Sequence, residues 1–210
     1  MAFIQANTRL LPVPHAPELA LYVADEAVAL WERTEAELDT IGLPPPFWAF
    51  AWAGGQALAR YVLDHPELVR GKTVLDVASG SGLVGIAAAR AGARQVLCCD
   101  LDPFAGAAMA LNAAVNEVVV EPLIADLTGR DEGWDVVLAG DVFYERDMAA
   151  AMAAWFERLA GRGAPVLVGD PGRAYLPRAW LEELAAYQVP VTRAVEDADV
   201  KRSAVYRLHA

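Results

Sequence analysis

Two short stretches hold residue types that could do chemistry together. In "WDVVLAGDVFYE", an apolar run delivers Asp141 and, three residues on, Tyr144. A carboxylate beyond a buried strand can pair with a cationic substrate or cap a neighbouring turn. In "VLDVASGSGLVG", Gly80, Gly82 and Gly85 follow an apolar run with the spacing G-x-G-x-x-G. Glycines between a strand and a helix let the backbone approach a ligand where a side chain would clash. "CCDLDP" then ends a second apolar run with Asp100, a carboxylate positioned for a ribose diol. Loop and carboxylate together suit NAD and S-adenosylmethionine alike.

Three features favour the sulfonium cofactor. Asp76 lies four residues before Gly80, where a carboxylate suits a cationic amino-acid moiety and would repel a pyrophosphate. Residues 1–70 precede the first strand, whereas dinucleotide domains often begin near that strand. Hydride-transfer machinery is missing: the only lysines are Lys72 and Lys201, no Tyr-x-x-x-Lys pair exists, and a substrate domain has no room.

The elements that must position these residues follow from length and pattern. With 210 residues, 56% of them hydrophobic, the chain makes a single domain, 1–210, with a well-buried core. A helix is read from Ala16 to about Thr40, as part of an N-terminal helical cap over 1–70. Gly54-Gly55 opens a second helix running to about Leu63. From 71 to 210, strands are read at 73–78, 95–100, 118–124, 135–140 and 165–169. Helices are read at 82–91, 103–115, 147–160 and 177–187, with Asp102 as N-cap, Pro103 at the first helical position and Gly92 as a stop. "VPVTRAVE" and "SAVYRLH" close the chain as an antiparallel hairpin. Strand–helix alternation makes this an α/β protein, a doubly wound, mostly parallel sheet covered on both faces.

The net charge of −11 argues against nucleic acid or an anionic membrane as partner. Cys98 and Cys99 are adjacent and cannot staple distant segments, so a reducing, cytoplasmic location is expected. His15, His65 and His209 lack ligand spacing, and no metal site is expected. No signal peptide or membrane span is evident, and a monomer is expected.

"VLDVASGSG" followed by "CCDLDP" resembles the first two motifs of the seven-strand class I methyltransferases. The resemblance implies a Rossmann-like sheet of order 3-2-1-4-5-7-6 with strand 7 antiparallel, in agreement with the closing hairpin. It also implies that Asp76, Ser79 and Gly80, with Gly82 in the same loop, meet the methionine end of S-adenosylmethionine. Asp100 would take the ribose hydroxyls, and Asp126 and Leu127 in "LIADL" would meet the adenine.

In that strand order the first and fourth strands are neighbours where the winding reverses, so Asp141 and Tyr144 flank the sulfonium. Gly140 to Tyr144 matches the Asp-x-x-Tyr pattern of a group of protein lysine methyltransferases. Asp141 is expected to orient an arriving ammonium, with Tyr144 as a pocket wall. In "FWAFAWAGG", Trp48, Phe50 and Trp52 alternate and would face one way if extended, with Trp52 against the cofactor and Trp48 against the substrate. An aromatic face attracts a cation by about 0.5–2 kcal/mol. Taken with "DLDPFAGAAMALNAAVN" and "VGDPGR", these segments resemble the lysine methyltransferases of the electron transfer flavoprotein β-subunit. That implies a protein substrate, which Arg173 could contact. Alternatives are another protein acceptor such as a ribosomal one, a small nicotinamide-like amine, and a cofactor-binding module without catalysis.

Overall fold

Apolar strands flanked by alanine-rich helices can hide their backbone only by pairing side by side beneath helical cover. The computed structural model, which describes residues 1–24, 45–191 and 198–209, does this with one seven-stranded sheet. Its strands are β3 (Thr73–Val77), β4 (Gln95–Asp100), β5 (Glu121–Ile124), β6 (Val136–Gly140), β7 (Val166–Asp170), β8 (Leu181–Pro190) and β9 (Val200–Leu208). They lie in the order β5-β4-β3-β6-β7-β9-β8, parallel except for β9, which runs antiparallel to both neighbours. This is the order 3-2-1-4-5-7-6, expected above.

Side chains alternate across the sheet. Val74, Val96, Leu138 and Leu167 pack under α2 (Ala53–Asp64), α3 (Leu83–Arg90) and α4 (Pro103–Val115). Leu75, Val77, Val137 and Val168 face Trp155 and Phe156 of α5 (Arg146–Gly161). Asp102 caps α4 as expected, accepting from the Phe104 amide at 2.8 Å, with Pro103 at the first helical position. The third strand is shorter than expected, starting at Glu121.

Two expectations are corrected. Ala16–Val23 is not helical: it is strand β2, paired antiparallel with β1 (Arg9–Val13) behind a short helix α1 (Ala2–Asn7). The N-terminal cap is therefore not purely helical, and the remainder of the expected helix, 25–40, lies outside the described residues. Leu19 and Leu21 alternate into the core, and α4 secures the ribbon from the side. Asn112 Oδ1 accepts from the Tyr22 amide at 2.8 Å and Asn116 Oδ1 from the Ala20 amide at 3.0 Å. The second correction is at 177–187. A 3-10 turn, Arg178–Trp180, leads directly into β8, so the crossover from β7 has no helix. The C-terminal hairpin exists, but its first strand ends at Pro190, and 192–196 of "VPVTRAVE" lie outside the described residues.

Candidate functional site

The carboxyl ends of β3 and β6, at the reversal of winding, open into a cavity of about 560 Å³. Trp48, Trp52, Asp76, Ser79, Gly80, Asp100, Asp126, Leu127, Asp141, Tyr144 and Arg173 all line it, so sequence-distant candidates converge. Gly82 does not. It forms the N-cap of α3 with φ +82° and backs onto Met109, so its role is to start the helix rather than to face the cavity.

The floor is Asp76, central in the sheet and 1% exposed. One carboxylate oxygen accepts from the Gly85 amide at 2.8 Å, in the first turn of α3. Burial nevertheless pushes its carboxyl up to about 7. Asp100 closes the loop from the side by accepting from the Gly80 amide at 2.8 Å and the Asp102 amide at 3.0 Å. Gly80 has φ +52°, a left-handed conformation that suits glycine, and it passes the Trp48 backbone. Asp126 lies exposed at the mouth, where the Thr128 amide at 2.8 Å holds its carboxyl below the usual range.

At the other end, Asp141 sits on a left-handed backbone (φ +57°) and is 7% exposed. Its Oδ2 accepts from the amides of Gly54 at 2.5 Å and Gly55 at 3.3 Å, capping α2 from across the cavity. Its Oδ1 accepts from Arg173 Nε at 2.8 Å. The Arg173 guanidinium also stands over the Trp52 ring, 5.8 Å from its centroid. The α2 N-terminus reaches Asp141 because Gly54 and Gly169 lie backbone to backbone, too close for a Cβ on either.

The segment before α2 is not extended from its start: Phe47–Ala49 forms a 3-10 turn. Trp48 is buried and stacked on Phe104 at 6.1 Å, so its ring has no surface to offer a protein substrate, although it walls the cavity. Trp52 donates its indole N–H to the Phe47 carbonyl at 2.9 Å. Phe47 joins the site although the sequence motifs do not single it out. Its ring meets Trp52 at 5.8 Å and the half-exposed Tyr144 at 5.6 Å, joining them into one aromatic wall beside Asp141. The run of aromatics in "PPPFWAF" was the available signal. Burial and the carboxylates of Asp100 and Asp141 push the Tyr144 phenol up, so it stays protonated.

The arrangement offers a buried carboxylate beside a glycine turn, and a carboxylate–aromatic corner for a cation. The family model for ribosomal protein L11 methyltransferase matches residues 56–141. A ribosomal protein L11 methyltransferase of Geobacter sulfurreducens is 42% identical over 115 residues, covering 52% of this chain and 38% of that protein. The solved structure of magnesium protoporphyrin IX methyltransferase from Synechocystis, with bound SAH, superposes with TM-score 0.55 at 15% identity over 88% of this chain and all of that one. This likeness establishes the fold. Electron transfer flavoprotein β-subunit lysine methyltransferases match far more fully. The rat protein is 36% identical over 99% of this chain and 84% of its own length, and that of Xenopus laevis 37% identical over 98% and 85%. Likeness of this extent places the chain in the electron transfer flavoprotein β-subunit lysine methyltransferase family.

Proposed function

We propose that the protein transfers methyl groups from S-adenosylmethionine to lysine side chains of the electron transfer flavoprotein β-subunit. The observation that carries this reading is the meeting of the glycine loop after β3 with Asp141 and the aromatic wall after β6, in one cavity. The residues present fit the cofactor. Asp76, buried and uneasy as an anion, suits the methionine ammonium, with Ser79 and the Gly80 backbone beside it. Asp100 suits the ribose hydroxyls, and Asp126 and Leu127 the adenine. When bound, the sulfonium supplies an electrophilic methyl group.

The chain's own residues then have to present a nucleophile. A lysine amine has a pKa near 10.4 and arrives as an ammonium. Asp141 holds and orients that cation, while Trp52, Phe47 and Tyr144 shape the approach. The proton leaves to water, because an ordinary carboxylate is too acidic to serve as an efficient base. Alignment of amine, methyl and sulfur supplies most of the acceleration. The ribosomal protein L11 methyltransferase model matches residues 56–141 and the Geobacter sulfurreducens relative 52% of the chain, a partial likeness that supports the cofactor more than a ribosomal acceptor. The buried free thiols of Cys98 and Cys99 are consistent with a reducing compartment, which we propose to be the cytoplasm.

The test is methyl transfer from labelled S-adenosylmethionine to purified electron transfer flavoprotein, with mass spectrometry mapping the site. Label is expected on β-subunit lysines. Asp100→Ala should lose cofactor binding in calorimetry. Asp141→Asn, which keeps an acceptor for the Gly54 amide, should bind cofactor yet turn over roughly 100-fold more slowly. Absence of label with cofactor bound would discard the acceptor. Near-normal turnover by Asp141→Asn would remove Asp141 from catalysis.

A further inference from the structure

The carboxylate and the aromatic face that make a cation site beside β6 already have a cation on them. Arg173 gives Nε to Asp141 Oδ1 at 2.8 Å and lays its guanidinium 5.8 Å from the Trp52 centroid. We propose that Arg173 competes with the substrate amine for this site, so that a lysine enters by displacing the guanidinium from Asp141 and Trp52. The inference rests on the lysine methyltransferase reading and assigns Arg173 as a determinant of acceptor selection.

Three observations carry it. First, Asp141 can offer an entering ammonium only one oxygen, because Oδ2 is committed to the Gly54 and Gly55 amides. Arg173 and a lysine ammonium must therefore contend for Oδ1, and like charges in so small a space repel. Second, the exchange needs no movement of the main chain. Asp170 Oδ1 accepts from the amides of Gly172 at 2.6 Å and Arg173 at 2.7 Å, pinning the backbone of "GDPGR" to the end of β7. Third, the Arg173 side chain is 20% exposed against 6% for Asp141, so it has a route to solvent by rotation, whereas the carboxylate stays. Acceptors that carry a strong, well-placed cation would displace it, and uncharged or poorly aligned groups would not. The site would thus filter what reaches the methyl group.

The experiment compares wild type with Arg173→Ala and Arg173→Lys as full chains, using methylguanidinium as the probe and matched sodium chloride as control. In Arg173→Ala, methylguanidinium should bind saturably, read as a rise in unfolding temperature and a change in tryptophan fluorescence. It should compete with the flavoprotein for methylation. Wild type and Arg173→Lys, which keep a cation on Asp141, should show no saturable response. Adding Asp141→Asn to Arg173→Ala should abolish it. The KM for the flavoprotein should fall about three- to tenfold in Arg173→Ala, as the competing state disappears. An equal response to methylguanidinium in wild type, or a KM at or above the wild-type value, overturns the proposal. Should the flavoprotein fail as substrate for every variant, the functional reading falls, while the methylguanidinium binding still decides the cation site.

Discussion

At the scale of single residues, Asp76 sets a testable pH dependence. Its carboxyl titrates near 3.8 when free and at about 7 in the fold, because burial disfavours the anion. Between those values the folded chain binds more protons than the unfolded one, so stability falls as pH rises through that window. The full cost above pH 7 is up to about 4 kcal/mol. A methionine ammonium beside Asp76 would favour the anion instead. Cofactor binding at pH 6.5 should therefore release protons, and affinity should climb from pH 6 to 8. Calorimetry in two buffers of different ionisation enthalpy measures both, and zero proton release would separate Asp76 from the ammonium. Asp76→Asn should melt higher than wild type at pH 8 without cofactor, yet bind cofactor more than about tenfold less tightly.

At the scale of elements, the site depends on how far α2 sinks onto the sheet. A Cβ on Gly54 would lie 2.3 Å from the Gly169 carbonyl oxygen, a backbone atom that cannot step aside. Gly54→Ala should therefore cost about 1–3 kcal/mol and pull the helix amides off Asp141. One residue on, a Cβ on Gly55 meets nothing nearer than Leu83 Cδ2 at 3.9 Å. Gly55→Ala should be neutral or stabilise by up to about 1 kcal/mol through helix propensity. Thermal unfolding of the two variants checks the contrast, and equal losses would contradict the close packing.

The same elements mark how much was legible in the sequence. Local signals sufficed where they were strong: the turn after β3, the Asp102–Pro103 start of α4, and the carboxylates at strand ends. They failed where distant partners decide. Leu19, Leu21 and Val23 alternate, but the stretch from Ala16 to about Thr40 also fits a helix, and no local signal decides between the two. The asparagines that hold the strand are Asn112 on α4 and Asn116 at its C-cap. "LEELAAY" is made of helix formers, yet β9 pairs with β8 from Leu181 to Pro190, with one irregularity at Leu184, and tertiary pairing overrides propensity. In the sequence, Asp141 fits two rival roles, cation partner and cap. The fold gives it the cap through the Gly54 and Gly55 amides while leaving its other oxygen to a cation, a combination no local pattern encodes.

At the scale of the molecule, the proposed function brings a chain with a net charge of −11 to a cationic side chain. Long-range attraction should speed encounter with a lysine-bearing surface and weaken as salt shortens its reach from about 10 Å at 0.1 M to about 3 Å at 1 M. The KM for the protein acceptor should rise several-fold between 50 mM and 500 mM sodium chloride, while cofactor affinity, set by buried contacts, moves far less. Steady-state kinetics with each substrate varied in turn would reveal it, and a salt-independent KM would show that encounter is governed by local shape.

The order of the strands also bears on how the protein can be made. β9 lies between β7 and β8, although it follows both in the chain. A nascent chain halted between Pro190 and Val200 therefore has a finished cofactor loop and a finished β6, but an open edge at β7 and a partnerless β8. Early appearance of the binding half and late sealing of the sheet follow from that order. During synthesis, the unsealed edge is where a chaperone would have most to protect.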